Sequence, residues 1–448
     1  MTLVTFCYNK LRIAPFGALN LVIVRLISLN NQNLTASFES ALWSGIASDG
    51  GLFVPESFPA FTDDEKRLLT GMDLPLIAQM IIAKWLDGEI PDDILGKIVS
   101  EAINFEVPLR EVGPFMIAEL FHGPTMAFKD VAARFLAGCM EYFSEKENKE
   151  VNVIVATSGD TGGAVANAFS GLKRIQVFIL FPKGKVSDLQ YEQLTRVDAN
   201  VIPIEVEGTF DDCQRLVKQA LNDRKLELPL SSANSINIAR LLPQSSYYAY
   251  VYSRVGSYQA IVPTGNLGNA TAGLIANRLG IGPDGITLAC NANDSLARYA
   301  VSGTFRARES IETLSNAMDV GNPNNFPRYL YFLSNTFERF TDLTEVISVD
   351  DDETADTIKR VYSEYNYVLD PHTAVAWRSA ELSRRDSKKV IFATASPLKF
   401  AREIKEAAGI SVDNSRYLDE LMEIPTRKVE MSADYQTFAE LLVRMGRG

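Results

Sequence analysis

Short, nearly unbroken apolar runs alternating with helical stretches constrain this chain more than any other feature. They fall at 151–156, 175–181, 201–206, 260–263, 286–290 and 390–394, and Val and Ile dominate them. A run with no polar alternation has to be buried on both faces. A parallel sheet covered by helices on each side provides that burial, whereas an antiparallel sheet with one wet face does not. Helical patterning separates the runs, as at 131–140 and 272–279, and the alternation of strand and helix predicts an α/β protein. Upstream, from 33 to about 112, the pattern is of helices punctuated by Pro and Gly, such as 37–47 and 76–86, which predicts a separate N-terminal layer. At 448 residues the chain is long enough for roughly three domains.

The first four runs are each followed by a polar, mostly glycine-containing segment: 157–163, 183–187, 208–212 and 264–269. Open α/β sheets bind ligands in the crevice outside the carboxyl ends of their strands, so one cleft can collect all four. Gly265, Asn266, Leu267, Gly268 and Asn269 lead into a helical stretch. Free backbone N–H groups and the helix dipole favour an anion at such a place, and a tight strand-to-helix turn accounts for the same residues equally well. Ser158, Gly159, Asp160, Thr161 and Gly162 allow the same pair of readings, a carboxylate or phosphate seat or a plain N-cap. Two such turns at one cleft favour a ligand with two anionic groups. Lys129 precedes the helical stretch 131–140 with Met126 and Phe128 beside it. A lysine beside a helix start is ordinarily solvated; held among apolar side chains, its amine pKa falls, as condensation with an aldehyde requires.

Charge and composition remove other classes. Lys plus Arg number 44 against 56 Asp plus Glu, a net charge of -12, which excludes a broad basic surface for nucleic acid. Only two histidines, His122 and His372, are present, so no three-histidine metal site can form, and no metal is expected. Cys7, Cys139, Cys213 and Cys290 form no C-x-x-C pair and fit buried thiols of a reducing cytoplasm. The acidic run 350–353 reads as a solvated helix start. Residues 13–24 are apolar behind Lys10 and Arg12, but Pro15, Gly17 and Asn20 interrupt them and no cleavage site follows, so 1–23 is an extension of uncertain status. No segment suggests membrane insertion.

Six motifs occur in order: H-G-P-T-x-A-F-K-D at 122–130, A-T-S-G-D-T-G at 156–162, N-S-I-N-x-A-R at 234–240, V-P-T-G-N-x-G-N at 262–269, D-P-H-T-A at 370–374 and A-T-A-x-P-x-K-F at 393–400. Together they resemble the pyridoxal-phosphate-dependent threonine synthases, from about residue 24 onward. Leu267, Asn269 and Ser396 depart from the commonest residues of that pattern. The resemblance implies fold type II, with two open, mostly parallel α/β domains, a cofactor cleft between them and a mainly helical N-terminal domain. It divides the chain into an N-terminal domain at 24–112, a larger cofactor-binding domain at 113–148 and 255–410, a smaller domain at 149–254 and a helical tail at 411–448.

The resemblance further implies that Lys129 carries pyridoxal 5'-phosphate, that Gly265, Asn266, Leu267, Gly268 and Asn269 hold its phosphate and that Thr394 faces its ring nitrogen. Ser158, Gly159, Asp160, Thr161 and Gly162 would receive a substrate carboxylate, and Lys185, Ser187, Asn237 and Arg240 a substrate phosphate, for which arginine is suited. The implied reaction is conversion of O-phospho-L-homoserine and water into L-threonine and phosphate by a cytoplasmic monomer or homodimer. The alternatives are a phospho-lyase that stops at a 2-oxo acid and ammonia, and a non-catalytic metabolite-binding paralogue.

Overall fold

The computed structural model describes residues 24–86 and 88–447, so the readings of 1–23 and of Cys7 lie outside the described residues. The N-terminal layer has the helices Phe38–Ser44, Asp63–Leu69, Leu74–Leu86 and Asp92–Ala102. In Leu74–Leu86 the buried residues Leu74, Ile77, Ala78, Ile81, Ile82 and Trp85 recur at helical spacing and form one stripe facing the core. This layer also carries a small antiparallel sheet of β1 (Leu26–Ser28), β2 (Thr35–Ala36) and β3 (Phe53–Pro55), in the order β2-β1-β3.

The remaining strands are β4 (Leu109–Val112), β5 (Phe115–Glu119), β6 (Val151–Ala156), β7 (Ile175–Pro182), β8 (Val201–Glu207), β9 (Leu230–Ser232), β10 (Gln259–Pro263), β11 (Gly285–Cys290), β12 (Thr344–Ser348), β13 (Lys389–Ala393) and β14 (Val429–Ser432). They form two sheets. The larger has the order β12-β11-β10-β13-β5-β4 and is parallel except for the β4–β5 hairpin. The smaller has the order β14-β8-β7-β6-β9 and is parallel throughout. Every residue of β6, β7, β10 and β11 is buried, the two-sided covering that their unbroken apolar sequences require.

Two expectations are corrected here. The segment 411–448 is not simply a helical tail: between the helices Ser415–Met422 and Tyr435–Met445 it contributes β14, which pairs with β8 and makes 411–447 part of the smaller sheet's unit. Only Met431 of β14 is buried, as on an edge strand with one covered face, so its sequence lacks the continuous apolar signal. β4, read as the end of the N-terminal domain, pairs with β5 at the edge of the larger sheet.

Both sheets reverse strand order where the ligand crevice is expected. From β10 the chain proceeds to β11 on one side and returns to β13 on the other; from β6 it proceeds to β7 and β8 and returns to β9. The carboxyl ends of β10, β13, β6 and β9 therefore deliver their loops to one cleft. Among the described residues no helix is long and apolar enough to cross a membrane, and no cluster of His, Cys, Asp or Glu is arranged to hold a metal ion.

Candidate active site

The cleft is lined from both sheets, by Lys129, Ser158, Asp160, Thr161, Asn234, Arg240, the whole turn Gly265, Asn266, Leu267, Gly268 and Asn269, and by His372 and Thr394. It encloses about 880 Å³ of space outside the protein atoms, its open mouth included.

Lys129 is the first residue of the helix Lys129–Glu147, and the loop before it is pinned to the end of β13. Phe128 N donates to the Thr394 carbonyl at 2.9 Å and Leu120 N to the Ala393 carbonyl at 3.0 Å. Thr394, held through its carbonyl, lines the cleft together with Lys129. The Lys129 side chain is 17% exposed, and its Nζ lies 3.7 Å from Asp160 Oδ2. Burial is the strongest influence on the amine and lowers its pKa; Asp160 opposes this, while Lys399 and Arg240 reinforce it. For Asp160, burial alone would raise the pKa. Lys399, then Lys129, overcome that and hold the carboxyl well below the usual carboxylate range.

The turn after β6 is closed by its own residues. Thr157 Oγ1 accepts from Gly159 N at 2.9 Å and from Gly162 N at 2.8 Å. Gly159 has φ +135°, and a Cβ there would fall 2.4 Å from the Gln190 amide; one on Gly162 would fall 2.4 Å from Leu194 and Thr157. Both glycines serve close packing, and their amides are committed. Asp160 takes Gln190 Nε2 at 2.9 Å and Lys399 Nζ at 2.8 Å on Oδ1. An ionised, paired carboxylate repels a second one, so Gly159, Asp160 and Gly162 are corrected as direct carboxylate ligands. Ser158 and Thr161 remain, with side chains in the cleft.

The turn after β10 is open. Leu267 adopts the left-handed conformation (φ 61°, ψ 4°) as the N-cap of the helix Gly268–Arg278, a shape that converges successive amides into an anion-binding nest. A Cβ on Gly265 would lie 3.0 Å from Met318 Cα, so glycine permits the close approach of the 317–320 strap. Asn324 N donates to Asn266 Oδ1 at 3.0 Å, and Asn325 Nδ2 to the Asn266 carbonyl at 3.1 Å. Asn269 Oδ1 accepts from Tyr248 Oη at 3.0 Å, which fixes the amide so that Nδ2 points elsewhere. Among the described residues this buried Nδ2 has no partner. A buried donor without an acceptor costs about 1–3 kcal/mol unless a ligand supplies one. Together with the nest and the lysine across the cleft, it fits a group with a phosphate at one end and an aldehyde at the other.

Arg240 also reaches the cleft. Nη1 donates to the Ala233 carbonyl, Nε is buried with no partner among the described residues, and burial lowers the guanidinium to about 10. The other three residues expected around a substrate phosphate are corrected. Asn237 uses both amide protons internally, donating from Nδ2 to the Leu42 and Ser232 carbonyls at 2.9 and 3.0 Å, and its Oδ1 accepts from Ala239 N at 3.1 Å. Ser187 is the N-cap of Asp188–Thr195 and donates to the Lys399 carbonyl at 2.8 Å. Lys185 is half exposed and pairs with Glu312 at 2.7 Å.

Three features escaped sequence reasoning. His372 lies in the cleft wall: Nδ1 is 2.8 Å from Asp370 Oδ1, and Ala317 N donates to Nε2 at 3.2 Å. Only a neutral ring with its proton on Nδ1 satisfies both contacts. Asp370, two residues before it at a helix N-cap, was the available signal. The strap residues Ala317, Met318 and Val320 carry no chemical signature and are held by Asp319, which accepts from Thr313, Asn291 and Asn293 and is pushed by burial to about 7. Lys399, in the motif at 393–400, is fully buried against Asp160. His122 pairs with Glu119 at 2.7 Å and is absent from the cleft lining.

Comparison with known proteins agrees with this geometry. Residues 111–393 match the family of pyridoxal-phosphate dependent enzymes, 25–103 the threonine synthase N terminus and 373–442 the threonine synthase C-terminal region. The chain is 38% identical over 417 residues to the threonine synthase of Buchnera aphidicola subsp. Acyrthosiphon pisum, covering 90% of this chain and 95% of that one. The crystal structure of PLP-bound threonine synthase from Brucella melitensis superposes with a TM-score of 0.89 at 33% identity, covering 95% of this chain and 100% of that one. The threonine synthase of Escherichia coli superposes with a TM-score of 0.88 at 35% identity, covering 94% and 99%.

Proposed function

The chain belongs to the pyridoxal-phosphate-dependent threonine synthases, and from that premise we propose that its cleft converts O-phospho-L-homoserine and water into L-threonine and phosphate. The observation that carries the reading is the opposition, across one cleft, of a buried lysine and an anion nest with an unpartnered Asn269 Nδ2. Gly265, Asn266, Leu267, Gly268 and Asn269 would hold the cofactor phosphate, Lys129 would carry its aldehyde carbon and Thr394 would face its ring nitrogen.

Bound there, pyridoxal phosphate withdraws electrons from the substrate and makes the protons on its α and β carbons acidic. Lys129 Nζ, lowered in pKa by burial, takes the proton from the substrate α carbon and returns protons along the chain. Ser158 and Thr161 bind the substrate carboxylate with their hydroxyls at the rim of the turn. Arg240 receives the substrate phosphate through its unpartnered Nε, and Asp160, already paired, does not compete for it. His372, neutral and fixed by Asp370 and Ala317, holds the strap against the cleft and limits entry of water.

Absorbance of the purified protein, followed by product identification, tests the reading. Lys129→Ala is expected to abolish both the visible cofactor band and turnover, and the unsubstituted protein to yield threonine and phosphate in equal amounts. Release of a 2-oxo acid and ammonia, or full activity of Lys129→Ala, would refute it.

A further inference from the structure

Two ammonium groups share one carboxylate in this cleft. Lys399, in the turn Pro397–Phe400 after β13, is 0% exposed; its Nζ sits 2.8 Å from Asp160 Oδ1 and 3.0 Å from the Thr125 carbonyl. Lys129 Nζ, at 3.7 Å from Asp160 Oδ2, is beyond hydrogen-bond distance. A single carboxylate neutralises a single ammonium, and the closer, drier pair takes it. We propose that Lys399 is a positioning residue that occupies Asp160 and so leaves the Lys129 amine able to shed its proton. The proposal rests on the reading of Lys129 as the cofactor-carrying residue.

The other groups around Lys129 do not take over this task. Asp130, its neighbour on the same helix, is bound by Thr125 through both N and Oγ1. Arg240, from the turn Ile238–Arg240, adds positive charge and favours the neutral amine. His372, from Pro371–Leu382, is held in its neutral form by Asp370 and Ala317, and Tyr247 Oη donates to the Phe128 carbonyl at 2.9 Å. Asp160 is therefore the acid that decides the state of Lys129, and Lys399 is the cation that decides the state of Asp160. The lowering of the Lys129 pKa by burial, reinforced by Lys399, agrees with this order. Lys399 also joins the larger domain's turn to Asp160 of the smaller domain, so the arrangement is complete only with both domains packed.

The test uses protein stripped of cofactor and follows capture of added pyridoxal phosphate by absorbance across the neutral pH range. With Lys399→Met, Asp160 is free to pair with Lys129. The capture profile is then expected to move up by about one pH unit, with capture about tenfold slower at neutrality. Adding Asp160→Asn to Lys399→Met is expected to bring the profile back to or below that of the unsubstituted protein, and Lys399→Arg to hold it in place. A purely structural role for Lys399 predicts no such reversal.

An unmoved profile in Lys399→Met, or an unreversed one in the double variant, would overturn the proposal. Should Lys399→Met not fold, Lys399→Gln, which can still hydrogen-bond Asp160 but carries no charge, is decisive: a raised profile supports the proposal and an unmoved or lowered one sinks it. Lys129→Ala run in parallel separates the two readings, because formation of the same covalent band without Lys129 would refute its assignment rather than the role of Lys399.

Discussion

After β6 the chain turns through 157–163 into a helix, and after β10 it turns through 264–269 into another. Both turns are rich in glycine and small polar residues, and both open on the same cleft. In the first, Thr157 Oγ1 takes the amides of Gly159 and Gly162, and the loop's own carboxylate, Asp160, is neutralised by Lys399. In the second, Leu267 holds a left-handed conformation and Asn269 Nδ2 is buried without an acceptor among the described residues. The first turn is closed by its own residues and offers the hydroxyls of Ser158 and Thr161 at its rim; the second keeps a buried donor that has no acceptor among the described residues and that an anion would satisfy. Which hydroxyl or amide closes on which glycine, and not the number of glycines, separates a packing turn from a phosphate seat.

Substitutions that exchange these characters test the contrast. The largest effect is expected from Thr157→Val, which keeps the shape but orphans two buried amides. Thermal or denaturant unfolding should show a loss of about 2–5 kcal/mol, with binding of pyridoxal phosphate retained in the folded fraction. Asn269→Ala removes the waiting donor of the other turn. Equilibrium dialysis should show pyridoxal phosphate held about tenfold more weakly, as expected for a lost charge-assisted hydrogen bond, while pyridoxal without its phosphate binds unchanged. An equal loss for both ligands would mean that Asn269 does not face the phosphate. The smallest effect is expected from Lys185→Ala: its partner Glu312 is on the surface, so stability should change by less than about 0.5 kcal/mol and KM should stay the same. A large rise in KM would return Lys185 to the substrate site.

The six runs legible in the sequence are strands whose both faces are covered, which is why β6, β7, β8, β10, β11 and β13 announce themselves. β12 and β14 are half-exposed edge strands, and β9 is only three residues long, so their apolar content is diluted and their pairing depends on neighbours far away in sequence. The presence of the turn from Gly265 to Asn269 and of Thr394 in the cleft is legible because motif and strand end coincide, and that of Lys129 and Arg240 from their motifs, since neither directly follows a strand. Asn237 misled: a side-chain amide serves a ligand and a backbone carbonyl equally well, and only the fold shows that Leu42 and Ser232 hold it. Lys399 and His372 are silent in the sequence because their meaning lies in what they touch, Asp160 across the domain boundary in one case and the amide of Ala317, 55 residues away within the larger domain, in the other.

The position of β14 bears on how the molecule is made. β8 leaves the ribosome long before the strand that pairs with it, and the second half of the larger domain is synthesised in between. Throughout that interval the nascent smaller sheet presents β8 as a bare edge, open to strand pairing with other chains. Glu205 and Glu207 on β8 place negative charge along that edge while it waits, and in the finished protein Lys428, just ahead of β14, pairs with Glu205 at 2.7 Å. The Glu205 carboxylate that later anchors the incoming segment thus also discourages pairing of this edge with other chains during synthesis.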